Sequence, residues 1–578
     1  MLNKSILGFT WRQKTFSEQS VYELVTYGNI DEMTSRLLAL RGVNIKNVDN
    51  YLDPKIKNNM PSPFVLKDME TAALEFIKAI HSNKKICIFG DFDVDGATSS
   101  SLIVNFLQKI GYKNYIKYIP DRFKEGYGIH ESSVDILHKN NVEFIVTVDL
   151  GSSAIEAALK AKLYNITLIV LDHHLAAVLA DAKAIVNPNR IDDKSNLGFL
   201  AAVGVTYMFL CAVLQLEPKF KIFNIIEFLD LVALGTVCDM VPIIDLNRAF
   251  VHQGIKVMEK RLNIGIKELL DISSVNSKIS TYHLGFLLGP RINAASRIGT
   301  SSYGSDLLCT KIEKDAKSLS IKLNTLNEER KKIELSANLE ALKMAETLSN
   351  KNSIFLYNKD WHTGVIGIIA GRIKEKFNKP SCIMSNEDGK IKASLRSIPN
   401  INIGSLIIKA KELGLVENGG GHAMAGGFTA SSSNKIPEIC VFFEEEITKI
   451  FQNLFDRNNR EYDTQISPYA VNKDLLDKIK QLEPFGMGAK EPIFYIEGLF
   501  VLKATLINNL HLSLIFGIDK THNLNRSKTL LGMYFNAANT DLCSAFLSET
   551  PNKFGVFFYL KENIKGQPQL HIIDGKLL

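Results

Sequence analysis

The chain has 578 residues, of which 46% are hydrophobic and 22% charged. That composition excludes a mainly disordered or fibrous protein and, at about 150 residues per domain, accommodates roughly four domains. The net charge of +6 is too small over this length to mark a basic tail, although it permits a polyanionic partner; the seven cysteines are scattered, never spaced CxxC, and argue against a zinc-ribbon or disulfide framework and for a reducing cytoplasm.

Residues 1–60 read as a polar, helical lead-in, with a helix over Asp31–Arg41, a break at Asp53-Pro54 and too short an apolar stretch at the start for a secretory signal. From Lys85 the pattern changes. KICIFGD, FIVTVD and TLIVLD are β-branched apolar runs that end in Asp91, Asp149 and Asp172, and helix-like stretches (Thr98–Ile110, Ala154–Lys162) separate them. Strands alternating with helices predict a doubly wound parallel sheet over a domain spanning 61–304, with its ligands outside the carboxyl ends of the strands. Leu197–Leu214 is uncharged and reaches the lower length limit for a membrane span, about 17 residues. It is solitary, contains Gly198, Gly204 and Thr206, and lies between acidic motifs that must share one aqueous site, so it is read as a core helix and no membrane is expected. Residues 305–352 contain no glycine or proline, and Leu319, Leu323, Leu326 and Ile333 fall at helical spacing, which predicts a long connecting helix. A second α/β unit follows over 353–455. The last segment, 456–578, holds five strand-like runs suited to a small β-barrel of the OB type.

The strongest local signal is Gly90-Asp91-Phe92-Asp93-Val94-Asp95-Gly96. An EF-hand loop shares the DxDxDG spacing, but its twelfth position should be Glu and is Leu102 here, and the segment follows a strand. Three alternate carboxylates on a turn can point into one pocket. Asp149 and the Asp172-His173-His174 triplet end further strands, and Asp239 closes the apolar run LGTVC, read as another strand end. Carboxylates with imidazoles suit Mn²⁺ or Mg²⁺, and so many acids in one place repel one another unless two such ions balance them.

The set IFGDFDVDG, TVDLGSS, LDHH and ALGTVCDMVP, followed by LGPRINAASRIG, LNEERKKIE, WHTGVIGIIAGRI, ASLRS, GGGHAMAGG and LEPFGMG, closely resembles the DHH/DHHA1 phosphoesterase superfamily in its single-strand-specific exonuclease branch. The resemblance runs from about residue 50 to the end. It implies a DHH catalytic domain over 61–304, a DHHA1 substrate-binding domain over 353–455 and a nucleic-acid-binding OB domain over 456–578. It also implies 5′→3′ hydrolysis of single-stranded DNA to 5′-mononucleotides, in recombination and repair. Asp93 and Asp95 match ligands of different metal ions, Asp149 the carboxylate shared by both, and His173 and Asp239 ligands of the second; Asp91 matches a further acid that ligates or orients. His174 matches the residue that contacts the scissile phosphate. The implied nucleophile is a hydroxide shared by the two ions, so no Ser or Cys is required. Ser394, Arg396 and Arg122 match a pocket for the 5′-terminal phosphate, with Arg291 and Arg297 as additional phosphate contacts. Gly420, Gly421 and the neighbouring Gly419 would let backbone amides approach a phosphate, with His422 facing the first lobe. Trp361 and His362 would stack beside the strand or serve packing. A helicase, a single-strand-binding protein and a monomeric, cytoplasmic chain complete the expectation.

Three positions depart from the superfamily pattern. Phe89 stands where some members have a metal-binding His, Ser296 replaces the usual Gly of NAAGR, which would stiffen a turn, and Leu150 replaces Asn. The competing readings are another phosphoesterase of the superfamily, such as an oligoribonuclease or cyclic-dinucleotide hydrolase, and a catalytically silent strand-binding replication factor. The first class lacks a terminal barrel; the second should have lost its metal ligands, all of which are present.

Overall fold

A computed structural model describes residues 4–452, 458–518, 528–548 and 552–578. These form two compact units. One contains Ser62–Asp239 and the described residues from Val257 to 452; the other contains the N-terminal segment through Pro61, Met240–Lys256 and the described residues from 458 onward. The boundary expected at 455/456 falls outside the described residues.

The first unit is built on a five-stranded parallel sheet, β1 (Ile86–Gly90), β2 (Tyr115–Tyr118), β3 (Phe144–Val148), β4 (Thr167–Leu171) and β5 (Ala184–Val186), in the order β2-β1-β3-β4-β5. Every residue of β1 and β3 is buried. Helices cover both faces of such a sheet, which is why these strands read as unbroken apolar runs instead of alternating ones. Strand order reverses between β1 and β3, and the crevice at that switch point is where a doubly wound sheet accepts ligands. Three helices frame it: α1 (Val94–Lys109), α2 (Ala202–Leu216) and α3 (Leu229–Cys238). α2 is the uncharged segment; it is buried from Ala202 through Leu214, and among the described residues no helix is long and apolar enough to cross a membrane.

Two expectations need correction. Asp239 does not end a strand: it follows α3, a helix buried from Leu229 through Thr236 and apolar there except for Asp230 and Thr236. A short apolar run without periodicity fits a buried helix as well as a buried strand. The connecting helix does not start at 305 either. Tyr303–Cys309 is a separate short helix, Thr310 turns extended, and the long helix α4 spans Glu313–Thr347.

Beyond α4, the second lobe of this unit carries β6 (Ile354–Tyr357), helix α5 (Ile366–Phe377), β7 (Ser381–Glu387), β8 (Lys390–Arg396), β9 (Asn418–Gly421) and β10 (Ala425–Ala430). Its sheet runs β9-β10-β8-β7-β6, so the glycine-rich β9 is an edge strand.

In the other unit, five strands, Phe494–Ile507, His511–Gly517, Thr529–Tyr534, Lys553–Glu562 and Pro568–Leu577, form a closed barrel of OB type, the first pairing with both the second and the fourth. Trp11 from the N-terminal segment stacks on Phe557 at 4.3 Å and donates to Asp574 Oδ2 at 2.7 Å. Arg248 explains why the insertion Met240–Lys256 belongs here: buried, it donates to the carbonyls of Tyr51, Leu482, Glu483 and Pro484 at 2.9–3.1 Å.

Gly235 on α3 sets how closely the three helices of the crevice approach. A Cβ there would lie 2.4 Å from Thr98 Oγ1, 2.8 Å from Val203 Cγ1 and 3.0 Å from Asp95 Oδ1. Gly235→Ala is expected to overpack this contact and cost about 1–3 kcal/mol, read as a lower urea midpoint.

Candidate metal centre and phosphate pocket

The switch-point crevice collects side chains from four segments. Asp91, Asp93 and Asp95 lie on the turn from β1 into α1, where Asp93 caps the helix by accepting from Gly96 N at 3.1 Å. Asp95 is held from the other side: its two oxygens accept from Ala202 N (2.6 Å) and Val203 N (2.9 Å), the first amides of α2. The N-terminus of the core helix therefore fixes Asp95 through charge-assisted hydrogen bonds. Asp149, at the end of β3, sits in the left-handed region at φ +64, a conformation Asp tolerates better than most residues.

The Asp172-His173-His174 triplet divides its labour. Asp172 accepts from His173 N (2.7 Å), His174 N (3.1 Å), His174 Nδ1 (2.8 Å) and Ser152 N (3.1 Å). Burial raises its pKa, but these bonds and the His174 charge outweigh burial and hold it below the carboxylate range. The same pair works in reverse on His174: burial lowers its pKa, and Asp172 raises it further, to a net increase. His173 is different. Its Nδ1 is 3.1 Å from Leu200 O, and burial with the neighbouring His174 charge lowers its pKa to about 4, so it is neutral with the Nε2 lone pair turned inward. That nitrogen is 3.3 Å from Asp149 Oδ1, 3.6 Å from Asp239 Oδ2 and 3.9 Å from Asp95 Oδ2.

Burial, then mutual repulsion, raises the pKa of Asp91, Asp149 and Asp239 well above the carboxylate range and that of Asp95 to about 7. Asp91 Oδ1, Asp149 Oδ1, His173 Nε2 and Asp239 Oδ2 are buried without a hydrogen-bond partner. Orphaned acceptors pointed at a common centre fit divalent cations, and the donor set of carboxylates and imidazole fits hard ions. Three groups of possible ligands emerge: Asp91, Asp93 and Asp149; Asp95, His173 and Asp239; and Asp149, His173 and His174. Asp149 belongs to two of them. Phe89 is buried in the sheet and stacks on Tyr118 at 5.1 Å.

Next to the acids lies a cluster of arginines from both lobes. Arg122 stands over the Phe92 ring at 5.0 Å and faces Asp91 and Asp93. Arg297, at the end of helix Gly289–Ile298, donates to Gly364 O at 2.9 Å. Burial, then the charges of Arg122, Arg330 and Arg396, lowers its pKa to about 10. Arg396 on β8 donates to Ser394 Oγ (3.2 Å) and Leu395 O (2.8 Å), against the first turn of α5. Gly367 permits that approach, since a Cβ there would meet Ser394 Oγ at 2.9 Å and Arg396 Nη2 at 3.0 Å.

Not every expected residue joins this cluster. Arg291 is buried, with Nε on Asn324 Oδ1 and Nη1 on Leu287 O, which ties it to α4. Trp361 is buried and donates to Glu340, a packing role, while His362 meets Phe123 edge to face at 5.8 Å. Gly420 is exposed on the edge strand, with nothing within 4 Å of where a Cβ would sit; Gly421 and His422 are exposed beside it, His422 N donating to Ala425 O at 2.7 Å. Ser296 lies within a helix, not at a turn, and donates to Asn293 O.

Two residues escaped the sequence reading. Tyr127 OH is 3.3 Å from Asp149 O and 3.4 Å from His174 Nδ1; its position between Gly126 and Gly128, five residues after Arg122, was the available signal. Arg330, in LNEERKKIE, adds its charge to the arginine cluster while bonded to Asn327 and Glu334.

The family models match this layout: "DHH family, N-terminal domain" over residues 85–236, "DHHA1 domain" over 350–449 and "RecJ OB domain" over 462–574. Fold and site thus define a DHH-type hydrolase with a DHHA1 lobe and a barrel. The single-stranded-DNA-specific exonuclease RecJ of Escherichia coli is 33% identical over 512 residues, 83% of this chain and 85% of that protein. The crystal structure of RecJ with Mn²⁺ from Thermus thermophilus superposes with a TM-score of 0.81 at 24% identity, over 98% of this chain and 79% of that one. A structure of exonuclease RecJ bound to manganese has a TM-score of 0.58 at 27% identity, covering 68% of this chain and 97% of its own. The chain belongs to the RecJ family of single-stranded-DNA-specific exonucleases.

The buried acids make a stability prediction. Mn²⁺ or Mg²⁺ at a hundredfold excess over its Kd is expected to raise folding stability by about 2.7 kcal/mol, read as a thermal shift that EDTA reverses. In Asp149→Asn the shift is expected to shrink, and the metal-free variant to melt above metal-free wild type because one repelling charge is gone.

Proposed function

We propose that the protein is a metal-dependent exonuclease that removes 5′-mononucleotides from the 5′ end of single-stranded DNA, serving recombination and repair. The observation that carries this reading is the contact between opposites: Arg122 faces both the acid centre and the arginine cluster, so a terminal phosphate and the next phosphodiester fit side by side.

Two divalent cations, Mn²⁺ or Mg²⁺, supply Lewis acidity and an activated water for in-line displacement when bound. Asp91, Asp93 and Asp149 would hold one, and Asp95, His173 and Asp239 the other, with Asp149 common to both; the orphaned atoms of this set support the assignment. Asp172 accepts from His174 Nδ1 and raises its pKa, which favours the charged imidazole, so His174 is placed to contact the scissile phosphate and steady the charge that builds on its oxygens. Tyr127 places its hydroxyl within reach of both His174 and the Asp149 carbonyl and so helps to hold the imidazole in position.

Ser394, Arg396, Arg297 and Arg122 hold the terminal phosphate, since guanidinium forks suit its oxygens and the first turn of α5 adds backbone N–H groups. The exposed amides around Gly420 and Gly421, with His422, take the strand's backbone further along. A substrate that must be single-stranded implies a strand-separating helicase upstream and a single-strand-binding protein on its path.

DNA labelled at either end tests this. In a time course with Mn²⁺ or Mg²⁺, label is expected to leave first from the 5′ end as mononucleotide, with Asp149→Ala inactive. Internal cuts, loss from the 3′ end, or equal action on duplex overturns the reading. Arg396→Ala is expected to lower the preference for 5′-phosphorylated over 5′-hydroxyl ends by roughly tenfold or more, as loss of a charge-assisted bond predicts, with an unchanged metal-induced thermal shift.

A further inference from the structure

We infer that the accessible face of the helix at 281–298 carries the single strand away from the acid centre, and that the Tyr282–Phe286 pair on it is a stacking platform for nucleobases 3′ of the cleaved bond. The inference rests on the exonuclease reading and extends it to a part of the chain that no motif marked.

The helix is continuous but widens to a π turn over His283–Leu288. Pro290 accounts for this: it has no N–H, and its ring would crowd the carbonyl of Phe286 four residues back. Leu284, Leu288, Gly289, Ile292 and Ala295 are buried. Tyr282, Phe286, Pro290, Asn293 and Arg297, none of them fully buried, are spaced by four, four, three and four residues and so form one face. That face begins in the phosphate pocket, at Arg297, and ends in the aromatic pair. Tyr282 and Phe286 stack at 5.3 Å with planes 21° apart, and are 58% and 70% exposed. Two large aromatic rings stacked together in water form a surface that gains from being covered.

The Asp239 side of the acid centre lies against the aromatic half of this helix. Cys238, next to Asp239, donates through Sγ to Leu284 O at 3.4 Å, and a Cβ on Gly289 would lie 2.6 Å from that sulfur. Along the axis Cys238 is therefore level with the turn that carries Phe286, about 16 Å from Arg297 at 1.5 Å per residue, with Tyr282 one turn beyond. A strand with its 5′-phosphate at Arg297 that runs along this helix past the acids brings bases 3′ of the cleaved bond to the aromatic pair. Every base has a π face, so an aromatic platform suits an enzyme that digests any sequence.

The test compares a 5′-phosphorylated dinucleotide with a long oligonucleotide. Phe286→Ala is expected to reduce the ratio of kcat/KM for the long strand to that for the dinucleotide by roughly five- to a hundredfold, chiefly through KM, the range that loss of one base stack predicts. Phe286→Trp should retain the ratio. In the inactive Asp149→Ala background, 2-aminopurine placed a few nucleotides from the 5′ end should be quenched on binding, and the quench should disappear when Phe286→Ala is added. An unchanged ratio in Phe286→Ala, or a quench that persists there, overturns the platform even if wild type digests the strand from its 5′ end. Failure of wild type to digest single strands at all overturns the exonuclease reading, and the platform with it.

Discussion

Six aspartates and two histidines share one largely buried crevice, and that crowding is the constraint from which the rest of the site follows. Such a group cannot carry its charge unaided. The protein stabilises the cluster where it can without an ion: Ala202 and Val203 amides on Asp95, Gly96 on Asp93, four hydrogens on Asp172. It leaves Asp91, Asp149, His173 and Asp239 each with an unmatched atom. Those unmatched atoms define where cations belong, and the satisfied ones define what holds the ligands still.

The same logic explains why the arginines sit so close. Buried guanidinium groups from both lobes repel one another, as the lowered pKa of Arg297 records, and are tolerated because acids stand on one side and a phosphate is expected on the other. A net charge of +6 describes the sum and hides the arrangement. Within a few side chains the local field changes sign, from the carboxylates of the crevice to the guanidinium groups beside it.

Much of this was legible in the sequence because parallel strands announce themselves: their runs are unbroken and apolar, and a polar residue at their end is conspicuous. Asp91, Asp149 and Asp172 were placed on that basis. Asp239 was harder, since α3 is buried over most of its length and lacks the exposed polar face that marks a helix. Arg291 was indistinguishable from Arg297 by type and neighbourhood; only packing against α4 separates a structural arginine from one that faces the site. Tyr282 and Phe286 gave no signal, because two aromatic residues four apart usually indicate core, and only exposure reveals otherwise.

The anchoring of Asp95 by α2 has a consequence for how the enzyme comes into being. Chains fold from the N-terminus as they leave the ribosome. The turn bearing Asp91, Asp93 and Asp95 emerges long before the helix whose amides hold Asp95, and before Asp239. A nascent chain thus passes through a stage with the sheet made and the ligand set incomplete. The metal centre cannot assemble before Asp239 has emerged, so the strand ends that begin it must wait for a residue about 150 positions downstream.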